Sequence, residues 1–280
     1  MKKIIVDSGC DIVSFHPAGK DVEFARVPLS IISGDREYLD TPDLDIKTML
    51  DEVTSSSAKS STACPSPNAF LNAYQGADEV YVITITGGLS GSYSSAKLAS
   101  EMFLAENPDA KIHVFDSLSA GPEMTLILYK ISSLLAEGND FETVVQKTSE
   151  YMQHTGLFFI LNNVDTLVSS GRLPKIVGLA SGILGISLLG RASTEGKLEP
   201  MHKYRGINKG AKVVLSSLQE EGFNGKHLII AHNFNEDNAN QIRKTVLEIY
   251  PSAKIELMLT SGLCSYYSGK QGMLIGFEKN

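Results

Sequence analysis

The stretch Val80 to Phe103, VYVITITGGLSGSYSSAKLASEMF, limits what this chain can fold into more than any other. Val80 to Ile85 is an apolar, β-branched run that reads as a buried strand. Gly87, Gly88 and Gly91 interrupt it and allow a tight turn, which Ser90, Ser92, Ser94 and Ser95 crowd with hydroxyls. A helical pattern follows, with Ala96, Ala99, Met102 and Phe103 on one face. Strand, Gly/Ser turn and helix together make an anion site. The first backbone N–H groups of the helix have no partner inside it, and its dipole points its positive end at the turn. The same residues also fit a simpler reading, in which one serine caps the helix and the glycines only shape the turn.

Around this unit the chain alternates strands and helices. Lys3–Val6 reads as a first strand ending in the polar turn Asp7-Ser8-Gly9-Cys10-Asp11, where Asp7 caps a helix or holds a loop. Val27–Ile32 reads as one strand, followed by a hairpin turn at Ser33–Arg36 and a return over Glu37–Leu39. Asp45–Val53 is a short amphipathic helix. Thr54–Asn68 reads as a hydroxyl-rich loop stiffened by Pro65 and Pro67. Lys111–Phe115 is a strand, and helices follow at Glu123–Glu137 and after Asp140. This rhythm predicts an α/β unit with a mainly parallel sheet over residues 1–155.

The second half mixes hairpins with helices. Ile186–Ala192 and Lys197–Tyr204 are joined by a turn at Thr194-Glu195-Gly196. Strands at Leu157–Leu161, Leu228–Ala231, Lys254–Leu259 and Met273–Phe277 alternate with helices at Lys209–Glu221 and Asp237–Tyr250. A second α/β unit with a partly antiparallel sheet over residues 156–280 is expected. Ile176–Gly185 reads as a helix with room beside its glycines. Ile176 to Leu189 would then line an apolar tail, or pack closely in a core.

Composition removes several function classes. The 280 residues carry a net charge of −7, which argues against general nucleic-acid binding. Cys10, Cys64 and Cys264 cannot all pair within the chain, and no CxxC or HExxH spacing points to a metal site. The opening MKKIIVDSG has too short an apolar run for a signal peptide. Ile176–Gly190 is too short and glycine-rich for stable membrane insertion, so a cytoplasmic protein is the simplest reading.

Three chemistries fit the Ser90 turn. Gly88-Leu89-Ser90-Gly91-Ser92 resembles a nucleophile elbow whose last glycine is replaced, and Ser90, Asp165 and His232 occur in a hydrolase order. Nucleotide binding lacks both GxxxxGK[ST] and a GxGxxG after the first strand. The third is capture of a carboxylate by hydroxyls of Thr62, Ser66, Ser90 and Ser92 with helix N–H groups.

Several short motifs occur in a fixed order: Val6-Asp7-Ser8-Gly9-Cys10-Asp11, Thr62-Ala63-Cys64-Pro65-Ser66-Pro67, Leu89 to Ala96, Phe115-Asp116-Ser117 through Gly121, Ser170-Gly171-Arg172 and Tyr204-Arg205-Gly206. With these the chain resembles the DegV family over essentially its full length. The resemblance implies a two-domain α/β protein that holds one long-chain fatty acid between its domains. It implies no catalysis of its own and no cofactor, and it implies service as the lipid-carrying subunit of a bacterial, ATP-dependent fatty acid kinase. Thr62 and Ser90 match the positions expected to bind the carboxylate, with Ser92 and Tyr267 beside them. Arg172 and Arg205 match basic positions near the pocket mouth, suited to phosphate or to the kinase partner. The sequence departs from the family pattern at Tyr266-Tyr267-Ser268-Gly269-Lys270-Gln271, where Tyr267 replaces a histidine. A tyrosine still donates a hydrogen bond but takes up no proton near neutral pH. A carrier of another anionic or lipid ligand, and a serine esterase, remain as alternative functions.

Overall fold

In the computed structural model of the chain the described residues are 1–174 and 185–280. β1 (Lys2–Asp7), β6 (Glu79–Thr84) and β7 (Lys111–Asp116) form a parallel sheet with β2 (Val22–Val27), in the order β2-β1-β6-β7. Alternation along these strands sorts their side chains to opposite faces. Ile4, Val6, Tyr81 and Ile83 meet α4 (Pro122–Ala136) and α5 (Phe141–Met152), while Ile5, Val80 and Val82 meet α2 (Pro67–Tyr74) and α3 (Ser92–Glu106). Both faces are covered, which is why β1 and β6 read as continuous apolar runs. The chain leaves β1 for β2 on one side, while β6 lies on the other side of β1. The loops after β1 and β6 therefore part at a switch point, the usual position of a binding crevice in such sheets.

A small antiparallel sheet, β4-β3-β5, is built from β3 (Ser30–Ser33), β4 (Arg36–Leu39) and β5 (Ser60–Ala63), with α1 (Ile46–Ser55) beside it. Two expectations are corrected here. Val27–Ile32 is not one strand, because Pro28 lacks the N–H needed to continue pairing and the chain passes from β2 to β3 there. Thr54–Asn68 is not all loop, because Ser60–Ala63 pairs with β3. On α3, Ala96, Ala99 and Phe103 are buried, but Met102 points outward at 40% exposure.

The other half carries β8 (Thr155–Leu161), β9 (Ile186–Ala192), β10 (Leu198–Arg205), β11 (Phe223–His232), β12 (Lys254–Leu259) and β13 (Met273–Lys279). They form a mixed sheet ordered β10-β9-β8-β13-β11-β12, antiparallel except for β11 with β12. Phe158, Ile160, Ile230 and Ile275 pack under α7 (Ile207–Glu220) and α8 (Glu236–Ile249). The opposite face of β8 and β13 turns toward the parallel-sheet half, and a Cβ on Gly276 would meet the backbone of Pro122 at 2.6 Å. Two short helices complete the described elements, α6 (Asp165–Ser169) and α9 (Gly262–Ser268). Among the described residues no helix is long and apolar enough to cross a membrane.

Candidate functional site

Asp7, at the end of β1, organises the Ser90 turn. It is fully buried and accepts from Gly9 N and Ile85 N at 2.9 Å each, and from the Ser92 hydroxyl. Burial pushes its carboxyl up to about 6 against these hydrogen bonds. Ser92 is therefore committed to Asp7 and is not among the described residues that line the cavity below. Gly91, not a serine, occupies the N-cap of α3, with no side-chain cap.

The β9–β10 hairpin closes over this turn. Thr86 donates to the carbonyl of Gly196 at 3.0 Å, and Gly88 N donates to Thr86 Oγ1. A Cβ on Gly88 would sit 2.8 Å from that carbonyl, so the close approach needs glycine. Arg172 fixes the turn from a third direction, donating Nε–H to the Leu89 carbonyl at 2.9 Å.

α9 supplies the remaining polar groups. Its start is held by buried carboxylates from the other half. Asp40 accepts from Gly262 N and Leu263 N at 2.9 and 2.8 Å, and Asp11 accepts from Ser261 N at 2.8 Å. The helix then presents Tyr266 and Tyr267 to alternate residues of β5. Ser60 and Tyr266 share a hydrogen bond at 2.8 Å, and Thr62 and Tyr267 share one at 2.7 Å. The Arg172 guanidinium lies 5.1 Å from the centre of the Tyr267 ring. Burial raises the Tyr267 phenol above its ordinary value, so it stays a neutral donor through physiological pH.

Thr62, Ser90, Arg172 and Tyr267 thus border one cavity between the two halves. Apart from Ser268 and Cys264 the rest of its wall is apolar, with Leu29 and Ile85 on one side and Leu157, Phe159 and Leu161 on the other. The space is about 70 Å³. Pockets that hold drug-sized ligands are typically about 300–1,000 Å³, so a long chain must push wall side chains aside. The structure brings together Thr62, Ser90 and Tyr267 and adds Arg172 to the same corner. Arg205, exposed at the end of β10, does not line it. Ser90, Asp165 and His232 share no hydrogen bond. The Ser90 hydroxyl instead accepts from Ser92 N, and His232 Nδ1 accepts from Asn235 N.

The lining expected from Ile176–Leu189 is only partly open to comparison, since 175–184 lie outside the described residues. Gly185, Ile186 and Ser187 border a different crevice, and Leu188 packs with Phe159 and Leu161. The apolar wall comes from alternate residues of β8, whose continuous hydrophobicity conceals which face looks into the cavity. The sequence pattern does not mark α9 as a helix. Its 7 residues are too few to show a period, and its N-terminus is held by Asp11 and Asp40 from far along the chain.

The sequence model of the DegV family matches residues 1–280. A DegV domain-containing protein of Streptococcus pyogenes serotype M1 is 45% identical over 276 residues, covering 99% of each chain. The crystal structure of the Streptococcus pneumoniae fatty acid kinase (Fak) B3 protein loaded with linoleic acid is 40% identical, covers 100% of this chain and 99% of that one, and superposes with a TM-score of 0.96. A DegV family protein from Eubacterium eligens loaded with heptadecanoic acid is 37% identical over 100% of both chains, with a TM-score of 0.95. By its match to the family model along its whole length and by these relatives, the chain belongs to the DegV family.

Proposed function

We propose that this protein binds a long-chain fatty acid between its 1–155 and 156–280 units and presents it to a separate, ATP-dependent fatty acid kinase subunit, without catalysis of its own. One observation carries the reading: three hydroxyls, those of Thr62, Ser90 and Tyr267, and the Arg172 guanidinium gather in one corner of a mainly apolar cavity. Once the Thr62–Tyr267 hydrogen bond opens, a carboxylate there accepts from Thr62, Ser90 and Tyr267, and the positive charge of Arg172 offsets its desolvation. The relatives crystallised with linoleic and heptadecanoic acids support the same class of ligand. Mass spectrometry of small molecules extracted from the purified protein tests it. Recovery of a fatty acid is expected, and recovery of a different ligand with no fatty acid bound on reloading would overturn it.

Each hydrogen bond to the ionised head group is worth about 1.5–3 kcal/mol. Ser90→Ala and Thr62→Ala should therefore each weaken binding roughly ten-fold or more. Unchanged affinity in both variants would remove these hydroxyls from the site. Tyr267→Phe loses one neutral donor and should weaken binding less. Tyr267→His should introduce a pH dependence between about pH 5 and 8 that the wild type lacks, read from titrations of affinity across that range.

A further inference from the structure

From the way two cavities meet, we infer that Leu157 is the floor of the acyl cavity and sets the longest chain it accepts. The inference rests on the fatty-acid reading above. Leu161, Phe159 and Leu157 project from one face of β8 into the cavity, while Phe158 and Ile160 enter the opposite core. At about 3.3 Å per residue, Leu157 lies about 13 Å along the strand from Leu161. The polar end is at Leu161. Arg172 N and Leu173 N bond the Leu167 carbonyl at 2.9 and 3.0 Å, and Leu161, Leu167 and Leu173 form one cluster against which Tyr267 packs. A carboxylate held by Thr62, Ser90, Tyr267 and Arg172 thus sends its chain down β8 toward Leu157.

Beyond Leu157 the wall is one residue thick. Leu157 is 2% exposed and packs with Cys264 and Leu274, with Ala120 and Ala192 against them. Ala120 borders the acyl cavity, and Ala192 borders a second groove of about 640 Å³ on the far side. Leu157 borders both. The groove reaches solvent, since Leu118 in it is 40% exposed and Arg191 also lines it. With small alanines on either side of the partition, the Leu157 side chain is what separates the two spaces.

The test uses the full-length protein as wild type, Leu157→Ala and Leu157→Phe. Each is delipidated, offered an equimolar ladder of saturated straight-chain fatty acids, and extracted for mass spectrometry. Removing about three side-chain carbons opens the floor. Leu157→Ala should move the upper cut-off of retained chains longer by about two methylenes or more, and Leu157→Phe should move it shorter. All three proteins should still retain a chain short enough to end before Leu157, because the head-group contacts are untouched. If Leu157→Ala does not fold, Leu157→Val carries the same expectation at smaller amplitude. An unchanged cut-off in folded variants that still bind the shorter acids would overturn this inference and leave the binding function standing. A wild type that retains no fatty acid would overturn the function, and the inference with it.

Discussion

Arg26→Ala should lower folding stability by about 3–5 kcal/mol, the cost typical of leaving one member of a buried ion pair alone. The Arg26 and Asp40 side chains are 5% and 2% exposed, and Arg26 Nη2 lies 3.3 Å from Asp40 Oδ1. The guanidinium also donates to the main-chain carbonyls of Asp40 and Ser8. Its loss leaves a buried carboxylate with two backbone donors, Gly262 N and Leu263 N, and removes the donor from two carbonyls. The effect reaches the site, because those donors begin the helix that carries Tyr267. Ligand affinity should therefore fall even where most of the protein remains folded. Arg26→Lys keeps the charge but not the planar fork and should fall between the two. In Arg26→Met/Asp40→Asn no lone charge is buried, but the new amide sets a donor against Gly262 N or Leu263 N, so only part of the loss should return. Urea midpoints at constant m-value are the measurement. A midpoint change worth less than about 1 kcal/mol for Arg26→Ala would show that solvent reaches Asp40.

The distance over which each feature is determined decides how far it is legible in the sequence. The parallel sheet is legible because β1 and β6 are local apolar runs with their own turn signals. The Ser90 turn is legible for the same reason, although the hairpin that closes on Gly88 is not. What α3 uses at its start is not. Which of Ser90 and Ser92 faces the cavity depends on Asp7, 85 residues before Ser92. Ser60–Ala63 is polar and small, and only pairing with β3 makes it a strand. It is this pairing that sets Thr62 against Tyr267. Arg172 is marked by motif resemblance alone. Its place in the polar corner of the cavity follows from a bond to the Leu89 carbonyl, 83 residues earlier.

Asp11→Asn should stabilise the protein at neutral pH by an amount that disappears in acid. Asp11 is buried, and its Oδ1 accepts from Ser261 N and Oγ at 2.8 and 3.2 Å, while Oδ2 has no hydrogen-bond partner. Burial, with the nearby Asp40 charge, pushes its carboxyl from an ordinary 3.8 up to about 6. A raised carboxyl binds its proton more tightly in the fold than in the unfolded chain. The folded state is therefore favoured below about pH 4, and that advantage is lost as pH rises to 6. By linkage the ionised form costs the fold on the order of 1–3 kcal/mol at pH 7 and above. The asparagine side chain keeps the Oδ1 acceptor and sets an uncharged amide nitrogen where Oδ2 stood. The variant's advantage over wild type should grow from near zero at about pH 4 to about 1–3 kcal/mol above pH 7. Taking the difference between two variants cancels groups of the opposite sign. Among these are His113 and His232, which burial lowers, and Asp45 and Asp140, which hydrogen bonds lower. Asp7 is the contrast. It titrates near the same pH, yet each of its oxygens accepts a backbone N–H, so the amide of Asp7→Asn would set a donor against a donor. That variant should be destabilised at every pH. Denaturant melts of the three proteins at about pH 4.5, 6 and 7.5 decide the matter. An Asp11→Asn difference that does not change with pH would mean that the Asp11 carboxyl titrates alike in the folded and the unfolded chain, because water solvates it in the fold.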